Sequence, residues 1–358
     1  MNYQELFADD LNFPLLRTRT KPLSDCTRRA GKLRTYAEYR NLVAECALGT
    51  EVVTRLNVLG AALRSLGRFG RVDAPESLLA LAYIALKSLT KRWNPKTIIA
   101  VITYINLKEA LAENKISCRL TTSELVRIAQ IVNGVFRIDD CLDDEHFVEQ
   151  VRHQSNPREY VSRYMESLSE YKLIHQSLEQ FEYIDSSHKA VTFALTDKLE
   201  RNSAEVVAAS SQATSYDSNF ACKAIFAMSG IFTQLALSLY LIGIDRRPSH
   251  WAALKIAFKR LVVLGIQLQC IDDFVDCVRD GEIYGNDTGV NVFRSVLFES
   301  QSLTRLAQFS KLDYVRLANE FPDEIVTFFY GIGDVPEDTP ILSAFRDTVL
   351  LHHFKTYL

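Results

Sequence analysis

Two clusters of aspartates in this sequence have the residue type and the spacing that metal chemistry requires. Each has the form Asp-Asp-x-x-Asp, and the two clusters start 133 residues apart: Asp139, Asp140, Asp143 and Asp272, Asp273, Asp276. On a helix the first and last members of each cluster share a face, and carboxylates at that spacing repel each other unless a cation neutralises them. Oxygen ligands without His or Cys suit Mg²⁺, which proteins commonly hold through a few carboxylates together with phosphate oxygens. The spacing therefore predicts a magnesium site that binds a diphosphate, with these ligands: Asp139, Asp143, Asp272 and Asp276.

A single cluster of this kind is common as a solvated acidic helix end. Two copies, each preceded by an apolar run with helical periodicity, are harder to explain in that way. An EF-hand is excluded, because neither segment has the central Gly or the ligand spacing of that loop.

Helices must position these clusters. The chain has 358 residues with only 14 Gly and 9 Pro, about half the usual share of each, so long helices are favoured over short strands joined by turns. Helix starts are indicated at Asp73-Ala-Pro-Glu76, at the capping-box pattern Thr121–Glu124, at Pro248 and at Pro322. We predict an all-α, single-domain bundle over residues 1–358, with roughly ten or more helices around a central cavity. Residues 1–70 are expected to be a less regular segment that caps it.

Composition excludes several other classes of protein. The formal net charge is −3, so we expect no nucleic-acid partner. The seven cysteines form no CxxC pair, which favours reduced, buried thiols over disulfides or a zinc site. The N-terminal sequence lacks the apolar region of a signal peptide, which predicts a cytoplasmic protein. The uncharged stretch Ala224–Ile244 is predicted to be a buried core helix, so no stable membrane insertion is expected.

At the aspartate clusters the sequence resembles the class I isoprenoid synthases, which comprise class I terpene synthases and trans-isoprenyl diphosphate synthases. The resemblance covers about half the chain, from Thr121 to Asn291. The run Gln269–Asp276, followed by Arg279-Asp280, is similar to the second aspartate-rich motif of prenyl elongases, and Asp139–Asp143 is similar to the first.

Two basic segments extend the resemblance. Lys223 lies 49 residues before the second motif, roughly where elongases hold the allylic diphosphate with a Lys-Thr pair, although Ala224 replaces Thr here. The segment Gly31-Lys32-Leu33-Arg34 is similar to the element that holds the homoallylic diphosphate, but it lies 108 residues before the first motif.

The sequence departs from both branches of the superfamily. Elongases follow the first motif with two adjacent arginines, whereas this chain has a single Arg152. The second metal motif of terpene cyclases is also absent, since Asp-Asp-x-x-Asp stands in its place. These departures leave cyclase and transferase open and favour the cyclase narrowly, because an enzyme that ionises one diphosphate needs no second diphosphate site.

The resemblance implies a class I terpene synthase that ionises a linear prenyl diphosphate of C15–C20 or longer and cyclises the carbocation. It implies three Mg²⁺ ions, with Mn²⁺ as a substitute, and a homodimer. All six aspartates are then catalytic candidates. The candidate substrate-binding residues are Lys223, Gln269, Arg279, Phe136, Gly134 and Val135.

A carbocation needs a dry, aromatic pocket, because ring faces attract cations. Phe136 lies one turn before Asp139, and the small Gly134 and Val135 beside it predict a deep pocket. Gly230 predicts a helix break beside this cavity. Aromatic residues on the uncharged stretch are more often plain core than cavity wall: Phe226, Phe232 and Tyr240.

Two interpretations outside this superfamily stay open. The pairs Asp143-x-x-His146 and Asp185-x-x-His188 are loosely similar to the metal-binding pairs of a di-iron bundle, although Asp185–His188 looks like a loop or a helix cap. The other interpretation is a non-catalytic helical interaction protein with two acidic helix ends.

Overall fold

The fold was analysed in a computed structural model, which describes residues 3–7, 75–213, 217–285 and 290–309 together with six isolated positions between 316 and 328. All regular elements in these residues are helical, and β pairing there is limited to an isolated bridge between Cys118 and Ile244. The predicted all-α class is therefore confirmed. The segment Gly31–Arg34 and the helix start at Pro322 lie outside the described residues.

The described part contains the following α-helices: α1 Pro75–Leu89, α2 Ile99–Ala112, α3 Thr122–Leu142, α4 Glu145–Arg152, α5 Pro157–Ser167, α6 Ser169–Glu179, α7 Ser186–Gln212, α8 Ser218–Tyr240, α9 Trp251–Tyr284, α10 Val292–Glu299 and α11 Leu303–Leu306. Short 3₁₀ helices lie at Tyr3–Phe7, Pro95–Ile98, Leu241–Gly243 and Pro248–His250.

The described residues divide into two compact units. The first contains those of Met1–Leu11, Val58–Ala208 and Met228–Gly265, and the second contains those of Ala209–Ala227 and Ile266–Leu358. In the first unit α3 packs against α1, α2, α6 and the 3₁₀ helix Pro95–Ile98. In the second unit α10 packs against α11. One domain over residues 1–358 stays a prediction.

Helix α3 begins with the predicted capping box. The Thr121 hydroxyl accepts a hydrogen bond from the Glu124 amide at 3.3 Å, and the Glu124 carboxylate accepts one from the Thr121 amide at 2.6 Å. These bonds satisfy amide groups that have no partner inside the helix. The helix ends at Leu142, with Asp143 as its C-cap, so the first aspartate cluster lies at its carboxyl end.

Helix α8 and the 3₁₀ helix that follows it contain the uncharged stretch up to Gly243. By length and composition Lys223–Gly243 could cross a membrane, and it is the only such helix in the described residues, but 78% of its most apolar window is buried inside the protein. This burial supports the prediction of a core helix. The predicted break at Gly230 is wrong, because α8 runs without interruption from Ser218 to Tyr240.

Gly134 marks the close contact between α3 and α6. A Cβ atom at this position would lie 2.5 Å from Cγ1 and 2.9 Å from Cδ1 of Ile174. The predicted free space for a substrate chain at Gly134 is therefore filled by the Ile174 side chain. The glycine allows the two helices to approach, which explains why a residue that costs about 1 kcal/mol relative to Ala is placed inside a helix.

We predict that Gly134→Ala destabilises the protein by about 1–2 kcal/mol, because overpacking outweighs the gain in helix propensity. In an Ile174→Ala background the same change should be neutral or stabilising, since the contacted side chain is gone. The measurement is urea unfolding of the two single variants and the double variant. A Gly134→Ala protein more stable than wild type would contradict the close contact.

Candidate functional site

The first aspartate cluster lies at the end of α3 that is electrostatically unfavourable for carboxylates. Asp139 and Asp143 are half-buried and Asp140 is exposed. The carboxyl end of a helix carries the negative end of its dipole, so acidic side chains there are destabilising and cations are stabilising. Repulsion between residues four apart adds to this cost. A bound cation would offset both terms.

The turn between α1 and α2 is attached to this cluster. The Asn94 side-chain amide donates to Oδ2 of Asp140 at 2.9 Å, and the Asn94 backbone amide donates to Oδ1 of the buried Asn133 at 2.7 Å. Oδ1 of Asn94 also accepts from the Lys96 amide at 2.8 Å, which caps the 3₁₀ helix at Pro95. None of the sequence motifs described above includes this turn. Its sequence signal is the dipeptide Asn94-Pro95, a helix start with a capping side chain and Pro in the first turn.

Two cations lie two and three residues before Asn94 on the same turn. Lys91 and Arg92 are both exposed. Lys91 has a φ of 57°, a left-handed conformation that disfavours L side chains and that usually selects Gly after a helix. Its amide donates to the Ser88 carbonyl at 3.0 Å, which closes the last turn of α1. The chain thus keeps a lysine at a position that favours glycine, next to a segment bonded to the first cluster.

One turn before Asp139, Phe136 faces an aromatic partner on α8. Its ring centroid lies 5.3 Å from that of Phe232, with the planes tilted by 56°, and both side chains are half-buried. Val135 is also half-buried. Tyr240 is instead a core residue, since it is fully buried and its hydroxyl donates to the Ala100 carbonyl.

The second aspartate cluster lies inside α9 and not at its end. The helix continues for two further turns to Tyr284, so Asp280 lies on the same helix as the cluster. Asp272 and Asp276 are half-buried. The first cluster belongs to the first compact unit and the second cluster to the second unit.

Asp273 differs from its neighbours because it is only 4% exposed. Its Oδ2 accepts from the Val292 amide at 2.6 Å and its Oδ1 accepts from the Gln269 side chain at 3.0 Å. Burial raises the pKa of Asp273 to about 7, although both hydrogen bonds act in the opposite direction. The described contacts of Asp273 and Gln269 therefore hold the start of α10 against α9.

Asn291 extends this bracing. Its side-chain amide lies 2.7 Å from the Asp273 carbonyl and 2.6 Å from Oδ2 of Asp280, and it donates to both. Its Oδ1 caps α10 by accepting from the Arg294 amide at 2.9 Å. The buried Arg294 guanidinium donates to the Cys277 carbonyl at 3.0 Å and to the Gly285 carbonyl at 3.2 Å. The polar network thus fixes both ends of the connection that follows α9.

The remaining predicted substrate-binding residues are cations on helix surfaces. Lys223 is exposed in the second turn of α8, and Arg279 is exposed on α9, three residues after Asp276.

Metal binding by these residues would depend on a substrate. Within the described residues no group of three or more His, Cys, Asp or Glu side chains is placed to hold a metal ion. Each cluster offers a pair of carboxylates four residues apart. Such pairs fit Mg²⁺, which typically takes one or two protein carboxylates and completes its shell with water and substrate phosphate.

The environment of His188 argues against the di-iron interpretation. Nδ1 of His188 accepts from the Ile184 amide at 3.2 Å, and Nε2 lies 2.7 Å from the Ser238 carbonyl, so both ring nitrogens have partners. Asp185 is a helix cap, as the sequence suggested, because its Oδ1 accepts from the His188 amide at 2.9 Å. His146 is exposed. The Asp185–His188 pair therefore has a structural role in this fold.

Comparisons with models of protein families, with curated proteins and with solved structures found no match to this chain. The resemblance to class I isoprenoid synthases therefore depends on the motif residues themselves.

We predict that His188 makes the protein less stable in acid. Burial, reinforced by Arg246, lowers the pKa of His188 despite the opposing Ser238 bond and Asp185 charge. The unfolded chain then takes up a proton at higher pH than the folded protein, so the free energy of unfolding falls as pH drops below about 6.5.

His188→Gln should lose stability near pH 8 but show a smaller decline from about pH 7 to pH 5, because the titrating group is absent. Urea unfolding at each pH measures the effect, with the exposed His146→Gln as the matched control. An unchanged decline in His188→Gln would refute this assignment.

Proposed function

We propose that this protein is a class I terpene synthase, which ionises a linear prenyl diphosphate of C15–C20 or longer with Mg²⁺ and cyclises the resulting carbocation. The observation that carries the proposal is the repeated cluster. Two helices each present a half-buried pair of carboxylates four residues apart: Asp139 with Asp143, and Asp272 with Asp276. Solvated acidic helix ends give no reason for the half-buried position of both pairs.

Mg²⁺ held by Asp139, Asp143, Asp272 and Asp276 would neutralise the charge that develops on the diphosphate as the C–O bond breaks. The protein's own contribution begins with cationic side chains that donate to diphosphate oxygens. Lys91 and Arg92 are the candidates beside the first cluster, and Arg279 is the candidate beside the second. Arg is suited to bidentate phosphate contacts.

The hydrocarbon part of the substrate needs a site that excludes water and tolerates positive charge. The Phe136 and Phe232 rings are suited to this role, because Phe136 precedes Asp139 by one helical turn and both rings are partly exposed. Aromatic faces stabilise a cation by about 0.5–2 kcal/mol each. Gly134 is not part of this proposed site, since Ile174 fills the space beside it.

Prenyl transfer to an acceptor is the second candidate function. It is favoured by the run Gln269–Asp276 followed by Asp280, which is similar to the second motif of prenyl elongases. Incubation with geranylgeranyl diphosphate alone separates the two: release of a hydrocarbon or alcohol indicates a cyclase, whereas turnover only with a second substrate indicates a transferase.

The proposal is tested by mass spectrometry of the products formed from C10, C15, C20 and C25 diphosphates with Mg²⁺. Asp139→Ala and Asp272→Ala should each reduce product formation by about a hundredfold or more, since each removes a carboxylate that would hold the metal ion beside the diphosphate. Asp273→Ala should instead lower stability by about 1–3 kcal/mol, because it leaves buried donors without an acceptor.

The exposed Glu145→Ala is the control for a nearby acidic residue. A non-catalytic interaction protein would show no turnover, and Mg²⁺ with pyrophosphate would not raise its unfolding temperature. Binding at a hundredfold excess over the dissociation constant would contribute about 2.7 kcal/mol, which such a measurement detects easily.

A second prediction concerns Lys91, for which the chain offers a matched control. Lys115 also has a left-handed backbone, with a φ of 58°, and is exposed after α2. Lys91→Gly and Lys115→Gly should both keep or gain stability, within about 1 kcal/mol, because Gly relieves the left-handed strain. Only Lys91→Gly should raise KM for the diphosphate, by about tenfold, through loss of a charged hydrogen bond. Equal KM values for the two variants would remove Lys91 from the site.

A further inference from the structure

Helix α1 exposes an apolar stripe. Four large apolar side chains lie three or four residues apart on it, with these exposed fractions: Leu79 61%, Tyr83 38%, Leu86 59% and Leu89 47%. At 100° per residue they occupy about one third of the helix circumference. The stripe is therefore a continuous surface, not a set of scattered side chains.

The opposite face of α1 is buried in the first compact unit. Ala80 and Leu81 are 0% exposed and Ile84 is 1% exposed. The helix is thus apolar on both faces, a pattern that belongs to helices surrounded by apolar material on all sides. The outer face is nonetheless exposed in the described structure, which predicts an apolar environment for that face when the protein functions.

The charge around the stripe indicates which environment this is. After Glu76, α1 and the turn that follows it up to Asn94 contain no Asp or Glu and three cations, although the whole chain has a formal net charge of −3: Lys87, Lys91 and Arg92. A patch of cations beside exposed leucines complements an anionic lipid surface, which attracts basic residues next to a bilayer.

Aromatic residues reinforce this match at the carboxyl end of α1. The Tyr83 ring makes an edge contact with the Trp93 ring at 5.5 Å, and the Lys87 ammonium lies 5.1 Å from the centre of the Tyr83 ring. Tyr and Trp with adjacent basic residues are typical of the boundary between lipid headgroups and acyl chains.

The dimensions of the stripe favour contact with a membrane surface over two other uses. Leu79–Leu89 rises by about 15 Å, half the thickness of a bilayer core, so the helix cannot cross it. Four side chains also offer much less than the roughly 800 Å² per partner that a stable protein dimer buries.

We propose that α1 docks reversibly on an anionic lipid bilayer, with its apolar stripe in the headgroup boundary and its basic residues on the lipid charges. The docking surface consists of Leu79, Tyr83, Leu86, Leu89 and Lys87, with Trp93 at its edge. Its test uses Leu79, Leu86 and Lys87, which have no part in the proposed diphosphate site, whereas Lys91 and Arg92 are also candidates for that site.

The test is cosedimentation of the full chain with phosphatidylcholine vesicles and with vesicles containing about 30% phosphatidylserine. The wild-type protein should bind the anionic vesicles. This binding should weaken as salt is added, because salt shortens the Debye length. Leu79→Gln/Leu86→Gln should reduce binding by about tenfold or more, and Lys87→Glu should also reduce it. The matched controls on α6, Leu173→Gln and Lys172→Glu, change an exposed leucine and an exposed lysine and should bind like wild type.

Circular dichroism measures the unfolding temperature of each variant, and light scattering measures its oligomeric state. The substituted leucines are exposed, so the variants should keep the wild-type unfolding temperature. Absence of binding to anionic vesicles, or equal binding by Leu79→Gln/Leu86→Gln and wild type, would overturn the proposal. A wild-type dimer that Leu79→Gln/Leu86→Gln converts to a monomer would also overturn it, because a second copy would then cover the stripe.

Discussion

The close approach of α3 and α6 is the contact that determines where the first aspartate cluster lies. Gly134 makes this approach possible, since the Ile174 side chain occupies the volume that any larger residue would fill. One turn later, Arg137 Nε donates to Glu170 Oε1 across the same pair of helices at 3.1 Å. Such a partly exposed ion pair contributes little energy by itself, about 0–1 kcal/mol, but it orients the last turns of α3. Apolar packing therefore sets the rotation of α3 about its axis and its position along that axis, and with them the position of the cluster.

The two aspartate clusters have one feature in common. In each, the middle aspartate accepts a hydrogen bond from a neighbouring segment: Asp140 from Asn94 and Asp273 from Val292. The outer aspartates, four residues apart, are half-buried. In both clusters the middle carboxylate joins the helix to a neighbouring segment, and the outer two lie at the spacing at which carboxylates repel each other and a cation would relieve the repulsion.

At two positions inside the long helices, glycine allows neighbouring helices to pack closely. Gly134 allows α3 to meet α6, and Gly265 allows α9 to meet α8, since a Cβ atom there would lie 1.8 Å from the Thr233 hydroxyl oxygen. The Thr233 hydroxyl in turn donates to the Ser229 carbonyl one turn earlier at 2.8 Å. At these two positions the close-packed interior leaves no room for an added methyl group.

Local sequence determined the helical class, the capping box at Thr121 and the helix cap at Asp185, because each depends on periodicity or on bonds between residues a few positions apart. It also determined which carboxylates lie four residues apart. Tertiary structure decided the rest. It buried Asp273, joined Asn94 to Asp140 across 46 residues of sequence, and filled the space beside Gly134 with a side chain from another helix. Residue type alone favoured a cavity at Gly134 and a helix break at Gly230, and neither is present. Burial and contact depend on the neighbours that folding brings to a residue, and the residue type does not specify those neighbours.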